Sequence, residues 1–135
     1  MASIVKEATI DASAESVWDA VRDFGAVHTR LAPGFVTDAK MDGPDRMVTF
    51  VSGNTVREVL IDSNDAKKRL AYSIRNERFK HHSASVQIVK EGPNRCRFVW
   101  TADMLPNDLA PFIDSQMELG MAAMKKNLER NKTAA

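Results

Sequence analysis

The sequence predicts an α+β fold in which a seven-stranded antiparallel sheet curls around a long C-terminal helix. Six short stretches with strand character follow one another in the middle of the chain. Each ends in turn residues, which is typical of a meander of antiparallel hairpins. From about Asn107 to Arg130 the apolar residues recur instead at helical spacing. One further strand and two short helices precede the meander, and the sheet buries one face by wrapping it around the long helix.

The first part of the chain changes from strand to helix. SIVKEATID alternates loosely and carries β-branched residues, so it predicts the first strand. In the following stretch Ser13 is suited to cap a helix at its N-terminus and Gly25 to end it. The apolar residues in between recur at helical spacing: Val17, Trp18, Val21 and Phe24. AVHTRLAPG then predicts a second short helix, which Pro33 and Gly34 end.

The meander and the final helix follow. The six strands are FVTDAKM, RMVTFV, TVREVLID, RLAYSI, KHHSASVQIV and RCRFVWTADM. On the final helix one stripe is apolar: Ile113, Met117, Gly120, Met124 and Leu128. Glycine in mid-helix costs about 1 kcal/mol relative to alanine. Gly120 therefore indicates either a close approach to the helix backbone or room left for another molecule.

Length and charge limit the class of protein. A chain of 135 residues is expected to form a single domain, residues 1–135, with 131–135 as a frayed tail. The net charge of +1 gives no general attraction to nucleic acid or to an anionic membrane. We therefore expect neither as a partner.

The expected location is the cytoplasm. Cys96 is the only cysteine, so no intrachain disulfide forms, which suits a reducing compartment. No stretch approaches the roughly 18 apolar residues of a membrane helix. Lys6 and Glu7 lie where a signal peptide needs an apolar run. The three histidines and one cysteine lack the spacing of zinc ligands, and nucleotide-binding motifs are absent, so we expect no metal and no cofactor.

Four stretches, in this order, resemble the START/Bet v 1-like (SRPBCC) superfamily, and most of all its bacterial polyketide cyclase/dehydrase branch. They are IDASAESVWDAVRDF, GPDRMVTFVSG, RLAYSI and WTADMLP. The resemblance covers nearly the whole chain. It implies the helix-grip fold, with a cavity between the curled sheet and the long helix that takes apolar molecules such as lipids, polyketides, steroids or aromatic compounds. Some members are cyclases, dehydratases or lyases, and others carry or sense a ligand.

A more distant likeness is to the plant abscisic-acid receptors. VSGNTVREVLID resembles their gate hairpin, and RFKHHS lies where their latch lies. The proline and leucine of the receptors' gate are missing, so the likeness implies cavity geometry and no hormone sensing. At the position that matches Glu58, those receptors have a glutamate that faces the cavity. The likeness therefore favours an inward-facing Glu58. Alternation alone mildly favours Val59 and Ile61 inside; with Glu58 inside, these two lie on the outer face, where they offer a homodimer contact.

The stretch KHHSASVQIV contains two adjacent histidines, which must point to opposite faces of a strand. His82 shares its face with Ala84, Val86 and Ile88, and so faces the interior, whereas His81 faces solvent. The same alternation on the other strands predicts the cavity wall. On RMVTFV either face could point inward, and the large side chain of Phe50 favours the face that carries it. The expected lining residues are Val48, Phe50, Val56, Glu58, Tyr72, Ile74, His82, Ala84, Phe98, Trp100, Met117, Gly120 and Met124.

Glu58, Tyr72 and His82 are the candidate polar residues, on three consecutive strands. Three uses of His82 stay open: a structural group with satisfied hydrogen bonds, a ligand contact, or an acid–base catalyst. Two directions are open for the pKa of His82: burial lowers it if Glu58 points outward, whereas an ionised Glu58 in the same pocket raises it. Alternatively, Glu58 pairs with Arg46 or Arg57.

Three functions follow, in this order of preference. The first is binding of a small hydrophobic ligand in the cavity. The second is a cofactor-independent enzyme of the cyclase/dehydratase kind, with His82 as general base or acid and Tyr72 and Glu58 orienting or polarising a carbonyl. The third is a protein- or ribosome-binding member with a vestigial cavity.

Overall fold

Seven strands form one antiparallel sheet in the order β1–β7–β6–β5–β4–β3–β2. The strands are β1 (Ala2–Ile10), β2 (Val36–Asp42), β3 (Asp45–Phe50), β4 (Thr55–Asn64), β5 (Arg69–Arg75), β6 (His81–Gly92) and β7 (Arg95–Leu105). They are taken from a computed structural model that describes residues 1–131. All of the predicted tail except Asn131 lies outside the described residues. Each of the six meander strands pairs with the next, as predicted, and β1 returns to pair with β7.

The helices lie where helical periodicity predicted them. Helix α1 (Ala14–Arg22) is capped at its N-terminus by Ser13, whose Oγ accepts a hydrogen bond of 3.1 Å from the Ser16 backbone N–H. A 3₁₀ turn (Phe24–Ala26) and a π-helical turn (Val27–Leu31) take the place of the predicted second helix. A 3₁₀ turn (Asn107–Leu109) leads into the long helix α2 (Ala110–Arg130). No helix within residues 1–131 is both long and apolar enough to cross a membrane.

The prediction that Gly25 ends the first helix is wrong. Helix α1 ends at Arg22, and Gly25 lies in the 3₁₀ turn that follows. Its small size has a different use there. A Cβ at Gly25 would lie 3.0 Å from Cγ of Met41 on β2, so the absence of a side chain lets the turn pack against the sheet.

Strand alternation determines which side chains enter the core. On β6, buried and partly exposed residues alternate from His82 to Ile88, as predicted. On β3, Arg46 and Val48 are buried, so the face containing Phe50 does point inward. The apolar stripe of α2 is buried against this face from Met117 to Leu128.

Strand β4 departs from simple alternation. Glu58 is buried, whereas Val59 is only partly buried and Ile61 is 57% exposed. The preference of the apolar pattern for Val59 and Ile61 inside is therefore wrong. A register shift between Leu60 and Asp62 ends the alternation, and Leu60 is left 37% exposed. A homodimer contact through the outer face of β4 stays a prediction.

Candidate functional site

A cavity of about 280 Å³ lies between the sheet and the first half of α2. Its most exposed wall residues belong to the β3–β4 turn, the β5–β6 loop and the start of α2, and they mark the mouth: Ser52, Asn54, Thr55, Glu77, Arg78 and Phe112. A second space of about 60 Å³ lies deeper, towards α1 and the π-helical turn. We call these the outer and the inner compartment.

Most of the residues predicted to line a cavity lie on the walls of these compartments. Eight contribute to the outer compartment: Phe50, Val56, Glu58, Tyr72, Ile74, His82, Trp100 and Met117. Two contribute to the inner compartment only: Val48 and Met124.

Three predicted lining residues lie in neither wall. Phe98 is fully buried in the core, next to β1 in the sheet. Ala84 is buried beside Tyr72 in the sheet and lines neither compartment. Gly120 is covered by aromatic rings, because a Cβ there would lie 3.0 Å from Phe35 and 3.1 Å from Trp100. Gly120 thus marks close packing on the helix, and the alternative of free space at this position is wrong.

Sequence reasoning missed several wall residues outside the regular strands. Phe35 follows the Pro33-Gly34 turn and lines both compartments. Phe79 lies in the β5–β6 loop, and Gln116 lies on α2 one residue before Met117. An aromatic residue directly after a glycine turn, as at Phe35, could have indicated a wall residue. Strand and helix periodicity cannot predict the orientation of residues in loops.

Glu58 forms a buried ion pair with Arg46, directly opposite on β3. Nε and Nη2 of Arg46 both lie 2.7 Å from the same oxygen, Oε1 of Glu58. Nη1 of Arg46 donates a hydrogen bond of 3.0 Å to the Phe24 backbone carbonyl, and the guanidinium carbon lies 3.9 Å above the Phe24 ring. The positive charge is therefore held in place, and it balances the carboxylate at the cavity wall. Oε2 of Glu58 accepts no hydrogen bond from residues 1–131.

Tyr72 and Trp100 are joined across the cavity wall. The indole N–H of Trp100 donates a hydrogen bond of 3.1 Å to the Tyr72 hydroxyl oxygen. The tyrosine O–H remains available to donate, since it donates to no group in the described chain. Burial, and next the negative charge of Glu58, raise the pKa of Tyr72 well above its ordinary value. The phenol is neutral at physiological pH.

His82 is held in one tautomer by the neighbouring strand. Its Nδ1 lies 2.9 Å from the backbone N–H of Ile74, so Nδ1 must be the acceptor and Nε2 carries the proton in the neutral ring. Nε2 has no partner within the described residues. The ring of Phe79 packs edge-on against the imidazole, with 5.0 Å between centroids.

The expectation that Glu58 raises the pKa of His82 is wrong. Burial, as the largest cause, lowers the pKa of His82 to about 4; the neighbouring His81 lowers it further, and Asp103 opposes the shift. Glu58 does share the cavity, but Arg46 balances its charge. The imidazole is therefore neutral at physiological pH.

The cavity thus offers a defined set of polar groups on an otherwise largely apolar wall. Tyr72 O–H and His82 Nε2–H are neutral donors, with ring centroids 6.1 Å apart. Oε2 of Glu58 is an acceptor. Such a set suits the hydrogen bonding of an oxygen-bearing molecule. Among residues 1–131, no three His, Cys, Asp or Glu side chains are grouped so that they could hold a metal ion.

The comparison with protein families matches the whole chain to one of them. The family model described as polyketide cyclase/dehydrase and lipid transport matches residues 1–135. The search of curated proteins gave no match.

Solved structures share the fold. The chain is similar to the protein XoxI from Bacillus cereus, with a TM-score of 0.84, 20% identity, and 95% of this chain and 96% of that chain covered. It is similar to norcoclaurine synthase from Thalictrum flavum (TM-score 0.76, 20% identity, 98% and 96% covered). It is also similar to a START superfamily protein from Mycobacterium smegmatis (TM-score 0.70, 17% identity, 95% and 94% covered).

At these identities the solved structures show the fold alone, which is the helix-grip fold. The family match rests on the full length of the sequence. The curled sheet, the long helix and the cavity between them agree with it. This chain belongs to the polyketide cyclase/dehydrase and lipid transport family, and it shares its fold with a protein of the START superfamily.

Proposed function

We propose that this protein binds a small, uncharged, largely apolar molecule, and that an oxygen atom of this molecule accepts hydrogen bonds from His82 and Tyr72. The observation that carries the proposal is the pair of neutral donors on the wall of an otherwise apolar cavity. Each of these groups carries a hydrogen that no group in residues 1–131 accepts, so a ligand oxygen that accepts from both is favoured. A carbonyl oxygen has two lone pairs and can accept from both.

Charge balance supports an uncharged ligand. The charged wall residues Glu77 and Arg78 are exposed at the mouth; in the interior, the negative charge of Glu58 is balanced by Arg46, and both donors are neutral. A charged ligand would lose its hydration without meeting an unbalanced opposite charge. The cavity volume of about 280 Å³ is at the lower end of the range usual for ligand sites. This size suits a compact ring compound better than a long lipid chain.

Catalysis is a second candidate, favoured by the same donor pair. Two donors at one carbonyl stabilise the negative charge that develops on oxygen during enolisation or addition. His82 itself is poorly suited as a general base, because its only lone pair, on Nδ1, already accepts from Ile74. If the protein is an enzyme of the cyclase/dehydratase kind, we expect His82 and Tyr72 to polarise the substrate and Oε2 of Glu58 to accept the proton.

Binding is tested with the fluorescent dye prodan, an uncharged naphthyl ketone whose emission shifts to the blue when it leaves water. In a Trp18→Phe background, Trp100 is the remaining tryptophan, so its quenching reports binding next to the cavity wall. We expect saturable blue-shifted emission together with quenching of Trp100. The dye analogue with a methylene in place of the carbonyl is expected to bind about two- to tenfold more weakly, the effect of losing about one neutral hydrogen bond.

The adjacent histidines give a matched pair of variants. His82→Phe removes the cavity donor, whereas His81→Phe makes the same change on the exposed face of β6. We expect weaker dye binding only in the first. Equal affinity of both variants and wild type, or no saturable binding by wild type, would contradict the proposal.

A further inference from the structure

The two compartments meet at one level of the cavity. Five residues line both: Phe35, Phe50, Glu58, Tyr72 and Trp100. On β5 and β6, the inward-facing residues on either side of this level divide between the compartments; on β6, His82 lines the outer one and Val86 the inner one. On β5, Ile74 lines the outer compartment, Leu70 the inner one, and Tyr72 between them lines both. The shared residues therefore form a ring around the junction.

Helix α2 shows the same order along the cavity. Met117 lines the outer compartment and Met124 the inner one, with Gly120 between them on the same stripe. Seven residues of α-helix span about 10 Å, which sets the distance from one compartment to the other. The junction lies at the level of Gly120.

At that level the rings of Phe35 and Trp100 rest on the helix backbone. A Cβ at Gly120 would lie 3.0 Å from Cε2 of Phe35 and 3.1 Å from Cη2 and Cζ3 of Trp100. We call these two rings the ring partition. Trp100 is fixed by its hydrogen bond to Tyr72, and Phe35 packs against Phe50 with 5.3 Å between ring centroids. The hydrogen bond constrains Trp100, whereas packing alone holds Phe35.

The space behind the ring partition suits an apolar group. Its wall consists of aliphatic and aromatic side chains apart from Arg46 and Glu58, which balance each other in charge. The polar anchors Tyr72 and His82 lie on the outer side of the junction or at it. A molecule anchored there by its oxygen would point an apolar tail towards the ring partition.

We infer that Phe35 and Trp100 determine ligand length: they select molecules whose apolar tail ends within the outer compartment and block longer tails from the inner one. This inference rests on the proposed function, because it requires a ligand anchored at His82 and Tyr72. It identifies Phe35 as the residue that controls specificity, since nothing but packing holds its ring in the junction.

The test uses methyl n-alkyl ketones, from the pentyl to the undecyl member, which displace bound prodan. In wild type we expect affinity to rise by about fourfold for each added methylene, the effect of burying one CH₂, and then to level off. In Phe35→Ala the levelling-off is expected at a longer member of the series. Phe35→Leu keeps an apolar side chain and is expected to shift the levelling-off in the same direction, but by less. This variant replaces Phe35→Ala in the test if the alanine variant does not fold.

Phe79→Ala is the matched control, since it removes the same side chain from the outer compartment and leaves the ring partition intact. We expect it to weaken binding across the series without moving the levelling-off. A wild-type affinity that rises through the whole series would overturn the inference. The same holds if affinity depends on ketone length in the same way in Phe35→Ala and Phe79→Ala. Both outcomes would leave ligand binding itself supported. If wild type binds neither prodan nor any of the ketones, the proposed function and the inference are both overturned.

Discussion

Nδ1 of His82 accepts a hydrogen bond of 2.9 Å from the backbone N–H of Ile74 on the neighbouring strand. The two residues lie just beyond the last paired residues of β5 and β6, where the strands diverge around the cavity. The bond therefore satisfies a backbone donor that the sheet ladder leaves unpaired. It also fixes the proton on Nε2, so the side chain completes the sheet and serves the cavity as a donor.

We predict that acid destabilises the protein through His82. The pKa of this residue is about 4 in the folded protein, against 6.5 for an ordinary histidine. Between these values the unfolded chain binds more protons, so the free energy of unfolding falls as the pH falls from about 6.5 towards 4. Above pH 6.5 the contribution is fully present. We expect the free energy of unfolding to change by about 3 kcal/mol in all. Urea unfolding at a series of pH values checks this.

Asparagine gives a sharp variant for this prediction. The side-chain oxygen in His82→Asn can accept from the Ile74 N–H but does not titrate, so we expect a flatter dependence of stability on pH between 4 and 6.5. His81→Asn, on the exposed face, should keep the wild-type slope. Equal slopes in all three proteins would show that His82 is not the group responsible.

The buried ion pair predicts that alanine substitutions at two neighbouring positions of β4, Glu58 and Arg57, lower the free energy of unfolding by very different amounts. Glu58→Ala leaves Arg46 buried without its partner, and we expect it to lower the free energy of unfolding by about 3–5 kcal/mol. Arg57→Ala breaks two ion pairs near the surface, an exposed one with Asp42 and a partly buried one with Asp45, and should cost about 0–1 kcal/mol. Chemical denaturation of both variants provides the comparison, and similar losses would contradict the burial of the first pair.

Binding of prodan should not depend on pH between about 5 and 8. Burial lowers the pKa of His82 to about 4 and raises that of Tyr72, so neither donor changes its charge in this range. A titration of dye affinity against pH checks this. A sigmoidal change centred near pH 6.5 would mean that a histidine titrates at the site with its ordinary pKa.

Tyr72→Phe should weaken prodan binding by about two- to tenfold and also release Trp100. The change removes the donor to the ligand and the acceptor of the indole N–H together. We expect a shift in Trp100 emission even without ligand, measured in the Trp18→Phe background. An unchanged emission spectrum would argue against the Tyr72–Trp100 hydrogen bond in solution.

The mouth loops are expected to be more mobile than the sheet. Residues 51–54 and 76–80 connect strands, and each contributes exposed residues to the cavity entrance. Hydrogen exchange should therefore be faster in these loops than in the centre of β6 and β7. Protection in the loops equal to that of the central strands would contradict this prediction.

Strand character and turn residues were sufficient to predict the order of the six meander strands, and most of the residues predicted to line the cavity lie on its wall. His82, Tyr72 and Trp100 follow from alternation, because each lies in a strand with regular pleat and an otherwise apolar face. Glu58 does not follow, since a carboxylate is buried only where a distant partner balances it, and Arg46 lies on another strand. The inward direction of Glu58 came from family likeness.

Two further features were beyond the reach of periodicity. The register shift after Leu60 depends on how β4 fits its neighbours, and a strand pattern carries no information about that fit. The position of Phe35 depends on the loop that leads into β2, where no regular period applies. The helix stripe did contain Gly120, but only the packed rings show which of its two uses holds.

The pairing of β1 with β7 has a consequence for how the chain acquires its structure. Nine residue pairs join these strands, from Ala2 opposite Met104 to Ile10 opposite Cys96, although most of the chain lies between them. Local hairpins can form early, but this ladder requires closure of a long loop, which is entropically unfavourable and slow. On the ribosome, β1 emerges before the other six strands and is therefore among the last to find its partner. Until then both edges of β1, and the edge of β7 that β1 will cover, lack strand partners, and aggregation during synthesis is expected to begin there.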